Sequence, residues 1–238
     1  MIRRVLGIVL VVAVGASAAG AVERAVVGLG SGGFLVGRLS FDLSPLSQAL
    51  TTAGYPAVDG PVVVFGGGGG GGALGGAVLG GLGFGGTASV LQGEKRADLE
   101  FGFGGFLVEI PRQAGDSAIL AFGTVIGGGD LTVKARARVP VDFADALAQP
   151  PLSQFSLGFF GSLPYLRLQV QVFPWLAIEG WGGYFIAFPG QWEEGDREIA
   201  GPKLDLRAPF FGLRISFGGI GSPVEPEPET SGPEGETE

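Results

Sequence analysis

YLRLQVQVFPWLAIEGWGGYFIAF, residues 165–188, is the stretch whose reading decides the fold. Side chains of an extended chain point alternately to its two faces. Leu166, Leu168, Val170 and Val172 therefore share one face, and Tyr165, Arg167, Gln169 and Gln171 share the other. After the break Phe173-Pro174-Trp175 a second run begins, with Leu176 and Ile178 on one face and Ala177 and Glu179 on the other, then Trp181 and Tyr184 among glycines. Two such runs about a short break predict an antiparallel hairpin.

The same period of two recurs along the chain. Leu131, Val133, Ala135, Ala137 and Val139 alternate with Asp130, Thr132, Lys134, Arg136 and Arg138, and Leu99, Phe101 and Phe103 alternate with Asp98, Glu100 and Gly102. Near the end Leu213, Ile215 and Phe217 alternate with Gly212, Arg214 and Ser216. The charge-free segment 60–93 is long enough for a spanning helix, but glycine crowds it, at about 1 kcal/mol per residue against alanine in a helix interior. Turn signals divide the chain into eight expected strands: 24–41, 61–68, 74–92, 96–110, 117–138, 153–172, 176–188 and 203–218. The apolar phase slips at Gly104-Gly105 and at Gly127-Gly128-Gly129, which reads as β-bulges. The alternative is a hairpin turn at 127–129, which would raise the strand count.

The expected connections are unequal. On one side lie 42–60, 92–95, 139–152 and 189–202; on the other lie the glycine run near 69–72, then 111–116 and 173–175. Membrane barrels have that asymmetry, with short turns on the inner side. A brief helix is expected in the first long loop, with Ser44 as N-cap, Pro45 at the first helical position, and Leu46, Ala49, Leu50 and Ala53 on one face. A second is expected at 142–148, stopped by Pro150 and Pro151.

The 238 residues include 47 glycines, are 46% hydrophobic and only 16% charged, and contain neither cysteine nor histidine. Disulfide frameworks, thiolate metal sites and Ser-His-Asp chemistry are thereby excluded. The net charge of -8 is concentrated at the end, where Glu225, Glu227, Glu229, Glu234, Glu236 and Glu238 occur without a basic residue. Nothing resembles a nucleic-acid footprint. Residues 1–21 read as a signal peptide: Arg3 and Arg4, an apolar run and then small residues. Residues 22–219 form the expected barrel domain, and 220–238 an acidic Pro/Glu-rich tail without the apolar content to order itself.

Gly28-Leu-Gly-Ser-Gly-Gly33 matches a dinucleotide fingerprint in form only, because a strand-like segment follows it in place of a helix. The run 66–72 is no phosphate loop, since no Gly-Lys-Ser/Thr closes it. No cofactor and no metal are expected. Asp98, Glu100, Glu109, Glu179 and Asp205 read as inward acids, accompanied by Arg38, Lys134, Arg136, Arg138, Arg167, Arg207 and Arg214. Mixed charges in a narrow lumen predict a mutually neutralising network, centred on Asp98, Glu100, Glu109, Lys134, Arg136, Arg138, Arg167, Glu179 and Arg214. Trp175, Trp181 and Tyr184 are expected at a membrane interface; the alternative makes the tryptophans core aromatics of a soluble sandwich.

Gly212, Ile215 and Phe217 occupy the places of a glycine followed three and five positions later by apolar residues. In that pattern the last strand resembles the closing strand of bacterial outer-membrane β-barrel proteins. The resemblance implies recognition by the barrel-assembly machinery, residence in outer-membrane lipid after export, and termini in the periplasm. The expected fold is all-β, an up-and-down antiparallel transmembrane barrel of about eight strands with short helices in the outer loops. The expected role is structural or surface-exposed and non-catalytic, with passage of small hydrophobic molecules as a second version. A soluble periplasmic or surface barrel binding a hydrophobic ligand is the competing reading.

Overall fold

The computed structural model describes residues 28–74, 76–148 and 153–220. The expected leader, 1–21, and the acidic tail beyond residue 220 lie outside the described residues. The chain runs through β1 (Gly28–Leu39), α1 (Ser44–Thr52), β2 (Val62–Ala73), β3 (Val78–Gln92), β4 (Lys95–Gln113), β5 (Ala118–Arg136), α2 (Phe143–Ala148), β6 (Ser153–Phe173), β7 (Leu176–Glu194), β8 (Arg197–Ile199) and β9 (Arg207–Ile220). From β1 to β8 every strand pairs antiparallel with its successor. β9 closes the wall by pairing with β1, from Leu29↔Ile220 to Leu39↔Phe210, and with β7, from Leu176↔Phe217 to Ile186↔Arg207. β8 has 3 residues and pairs only with the end of β7. The result is a closed, up-and-down, eight-stranded barrel, as the sequence predicts.

Three local expectations are corrected. The glycine run near 69–72 is not a turn: β2 continues through Gly66–Gly72 in register with both neighbours, and the chain reverses after Ala73. Gly104-Gly105 and Gly127-Gly128-Gly129 are neither bulges nor a turn, for Gly104 faces Gly128 and Gly105 faces Gly127 in an unbroken ladder. The segment 189–194 is not loop but the end of β7, and Gly195, at φ +61, makes the turn into β8. The irregularities lie between β6 and β7, where the register shifts between Leu157 and Phe159 and between Gln171 and Phe173. The first shift inserts an extra residue in β7 after Pro189 and turns Trp192 inward.

Reading the burial of each strand explains the apparent phase slips. In β4 the odd positions face inward from Ala97 to Pro111, and in β5 from Ile119 to Ala135, without interruption. What changes is the polarity of each face. In the half nearer the long loops, Leu99, Phe101, Phe103, Leu131 and Val133 are buried inside, while Asp98, Glu100 and Lys134 face out. In the half nearer the short turns, Phe106, Ile110, Leu120 and Phe122 are exposed outside, and Glu109 is buried inside. In β4 and β5 the outer face thus changes from charged at the loop end to apolar at the turn end, while the inner face stays apolar, with Leu107, Ile119 and Val125 buried around Glu109.

Phe41, Phe84, Phe101, Phe103, Phe159, Phe185 and Phe210 fill the loop-end interior, with ring centroids of successive pairs 5.0–6.3 Å apart. Offset and edge-on arrangements of this kind stabilise beyond area burial alone. α1 covers the mouth above them, burying Leu46 and Leu50. Its first turn is held by Asp42, whose Oδ1 accepts from the Ser44 backbone N–H at 3.1 Å. The cap position is therefore Leu43 rather than the expected Ser44. α2 is likewise started by Asp142, which accepts from the Asp145 N–H at 2.8 Å. The reversals after β2, β4 and β6 lie at one end of the wall, with the start of β1 and the end of β9, and 40–61 and 137–148 lie at the other.

Glycine serves two different purposes in the wall. A Cβ at Gly33, Gly68 or Gly127, all inward, would stand within 2.0–2.1 Å of a neighbouring strand's carbonyl oxygen. Those positions allow β1 to β5 to bend tightly. At Gly180 and Gly182, which face outward on β7, a Cβ would meet nothing within 4 Å. Gly127→Ala should therefore cost at least about 1–3 kcal/mol through backbone displacement, whereas Gly182→Ala should be neutral or stabilising by up to about 1 kcal/mol. Urea unfolding of the refolded barrel, followed by the heat-sensitive electrophoretic mobility of the folded form, measures both.

Candidate functional site

The turn-end lumen is the place where polar side chains converge. Because alternate residues share a face, β6 sends Tyr165, Arg167 and Gln169 inward, β7 sends Glu179 and Trp181, β9 sends Arg214 and Ser216, and β4 sends Glu109. Arg167 donates through Nε to Glu109 Oε2 at 3.1 Å and through Nη2 to Glu109 Oε1, while its Nη1 donates to Gln169 Oε1. Tyr165 donates its hydroxyl to Glu109 Oε2 at 2.9 Å. Arg167 Nη1 lies 3.3 Å from Glu179 Oε1, and Arg214 Nη1 lies 3.5 Å from Glu179 Oε2, which also accepts from the Trp181 indole N–H at 2.9 Å.

Reaching over β1, Arg214 Nη2 donates to the carbonyl of Gly68 on β2 at 2.7 Å. The Arg214 guanidinium also sits over the Trp181 ring at 5.9 Å, and the Tyr165 and Trp181 centroids are 4.3 Å apart. Acid and base alternate in the order Glu109, Arg167, Glu179, Arg214, so the cluster is neutral as a whole. Buried charges need such pairing, since an isolated ion in a low-dielectric interior is costly. Glu179 Oε1, Arg214 Nε and Ser216 Oγ have ion-pair or packing neighbours but no hydrogen bond. The void beside Glu109, Arg167 and Gln169 is about 20 Å³, room for roughly one water. Both Glu109 oxygens are engaged and no substrate-sized space adjoins them, so the arrangement acts as a cross-brace.

Of the expected lumen network, Glu109, Arg167, Glu179 and Arg214 come together in this way. Asp98, Glu100, Lys134, Arg136 and Arg138 are corrected: none lies in the lumen. Asp98, Glu100, Lys134 and Arg136 sit on the outer wall of the loop-end half, because the inner face there is filled by Phe101, Phe103, Leu131 and Val133. Arg38 also faces out, at the loop end of β1. Arg138 lies in the following loop and pairs with Asp145 of α2. Lys134 Nζ stands 2.5 Å from Glu100 Oε1, and Arg96 Nε 2.8 Å from Asp98 Oδ1; exposed pairs of this kind contribute about 0–1 kcal/mol. In the loops, Arg207 beside Asp205 and the Ser44 hydrogen bonds to Asp42 hold both carboxyls below the usual carboxylate range.

Trp175 and Tyr184 are exposed on the outer face; Trp175 stacks between Phe173 and Phe217, with centroids at 5.9 and 6.2 Å. Trp181 is corrected from interface to lumen. It shares odd parity with Glu179, two residues earlier, and this was the available signal. Of the closing-strand residues, Ile215 and Phe217 face outward, whereas Gly212 faces inward against Leu35 and Phe210.

Wall and lumen together define a class: a closed eight-stranded antiparallel barrel with a filled interior, the architecture of the small outer-membrane barrels. Two solved structures of Ail, the attachment invasion locus protein of Yersinia pestis, are similar to the chain. The one in complex with the heparin analogue sucrose octasulfate is 13% identical, with 82% of this chain and 99% of that one covered and a TM-score of 0.41. The other is 12% identical over the same shares, with a TM-score of 0.37. No family model matches the chain, and no curated protein does.

If the cluster is a cross-brace, breaking it in one place should harm more than removing a whole pair. Arg167→Leu leaves Glu109 buried without a cation and should destabilise the barrel by about 3–5 kcal/mol. Adding Glu109→Leu should restore a large part of that loss, because Glu179 keeps Arg214 and Trp181. Equilibrium urea unfolding of the two variants in lipid vesicles measures the difference.

Proposed function

We propose that the chain is an outer-membrane barrel with a structural or surface-exposed role, anchored by its turn-end half and presenting its loop-end half outward, with no catalytic activity. The observation that carries this reading is the change of the outer face along the wall, from charged toward the loops to apolar toward the turns. Below it Leu166, Leu168, Val170, Val172, Leu213, Ile215 and Phe217 are exposed around β6 and β9; above it Asp98, Glu100 and Lys134 take the outer positions. A soluble barrel would leave the whole lower belt in water, far more contiguous apolar surface than monomeric soluble proteins carry. An isolated arginine on such a belt costs about 2–4 kcal/mol at mid-bilayer, and the outward basic residues Arg38, Lys134 and Arg136 stand at the loop end instead.

The short turns lie with both ends of the wall, so the barrel rule puts them and the termini in the periplasm. The leader 1–21 would deliver the chain there, and Gly212, Ile215 and Phe217 would be read by the barrel-assembly machinery. Small hydrophobic molecules are not expected to pass through the lumen, because the phenylalanine layer and the charged cross-brace fill it in series.

Cell fractionation tests the reading directly. The mature protein should sediment with outer membranes and need detergent for release; recovery as a monodisperse soluble species would overturn it. Reconstituted in planar bilayers, the barrel should show no steady ion conductance, and a large open-channel current would contradict the filled lumen.

A further inference from the structure

The loop-end mouth holds a cavity that neither the anchor nor the cross-brace uses. It measures about 240 Å³ and lies between α1 and the upper ends of β5, β6 and β7. Leu46, Ala49 and Leu50 of α1, with Ala53 and Tyr55 just after it, form one side, Val133, Ala135, Ser153 and Phe155 the opposite wall, and Trp192 with Ile199 to Pro202 the third. Leu46, Leu50, Val133, Ala135 and Trp192 are buried, whereas Ala49 and Ala53 are exposed and mark the entrance.

Its chemistry is one-sided. No charged residue is among the described lining residues. The polar atom of Trp192 is already committed: its indole N–H donates to the carbonyl of Pro202 at 2.8 Å. That bond fixes the ring. Gly201 lies against the indole so closely that a Cβ there would stand 2.3 Å from Trp192 Cδ1. The bulge after Pro189 is what turns Trp192 into this position, and bulges commonly re-aim a side chain next to a functional site. The flat faces are therefore held in place before any ligand arrives.

The space is also left open by composition. Ala49, Ala53, Ala135 and Ala200 present small side chains toward the cavity, where larger apolar residues would narrow the gap. Voids in a packed interior are destabilising in proportion to their volume. An apolar cavity of about 150 Å³ already accepts a benzene ring.

We propose that this cavity is a binding site for a small, neutral, apolar molecule, a ring or short hydrocarbon group, entering from the outer face past Ala49 and Ala53. The fixed indole and the phenyl ring of Phe155 supply the contact faces, and a predominantly apolar lining without a charged residue selects against charged ligands. The site rests on the closed barrel and on α1 sitting in its mouth, and it does not rest on membrane residence.

Bromobenzene, a neutral ring that quenches tryptophan fluorescence on contact, is a suitable probe. The full-length mature protein carrying Trp175→Phe, which removes the exposed tryptophan at the far end, is refolded into phospholipid vesicles and titrated. Quenching should contain a saturable component above the linear rise from partitioning, and Trp192→Phe should abolish that component. Ala49→Phe in α1 and Ala53→Phe just after it, both at exposed positions, fill the entrance and should each weaken the saturable component at least about tenfold, or about 1.4 kcal/mol, with folded-form electrophoretic mobility unchanged. Purely linear quenching, or saturable quenching that both filled variants retain, overturns the proposal. If fractionation finds the protein soluble, the same titration without vesicles still reads the cavity, so the two readings fail separately.

Discussion

The structure depends on one geometric constraint, that a strand cannot change which residues face inward without a break in its ladder. β4 and β5 hold one parity over their whole length, so all adaptation to surroundings occurs by changing what each face carries. In β4 and β5, toward the loops, the inner face is rich in aromatic and aliphatic side chains and the outer face charged; toward the turns the outer face is apolar, and buried charges stand among apolar residues inside. A single wall thereby meets two different environments. The two interiors then stabilise it by different means, ring packing in one half and paired charges in the other.

That constraint also accounts for what the sequence revealed and what it hid. The hairpin of residues 165–188 was legible because it lies mostly in the turn-end half, where an apolar outer face opposes Arg167, Gln169 and Glu179. Leu166, Leu168, Val170 and Val172 are outward as read. In the loop-end half of β4 and β5 that arrangement does not hold. Leu99 and Leu131 look like lipid-facing residues if the polar face is always the inner one, yet they belong to the core, and Glu100 and Lys134 belong outside. The change of polarity between Phe103 and Phe106 imitated a slip of phase. Glycine runs hid it further, because a residue without a side chain declares no face.

Glycine misled a second time at 66–72. Turn chemistry and close strand approach both call for a missing Cβ, and the sequence does not distinguish them. Only the neighbours do: a Cβ on Gly66 would lie 2.1 Å from the Gly83 carbonyl oxygen. Trp192, read as part of a loop, was displaced from its expected place by a bulge that has no strong local signature beyond Pro189-Gly190. Local patterns of residues specify strands well, whereas the mutual approach of strands distant in sequence is a property of the closed wall.

The pairing of β9 has a kinetic meaning. Among the main ladders, all but those of β9 join strands that follow one another, so most of the wall can form as successive hairpins. The contact of β1 with β9 brings together residues from opposite ends of the domain, Leu29 beside Ile220, and such long-range closure is slow relative to local pairing. Until it forms, β1 and the free side of the growing sheet leave rows of backbone N–H and C=O groups without partners. In the membrane setting proposed above, hydrocarbon would not tolerate those rows, so an incomplete sheet would have no stable resting place there, and the last ladder would turn a gradual build-up into a single committed step.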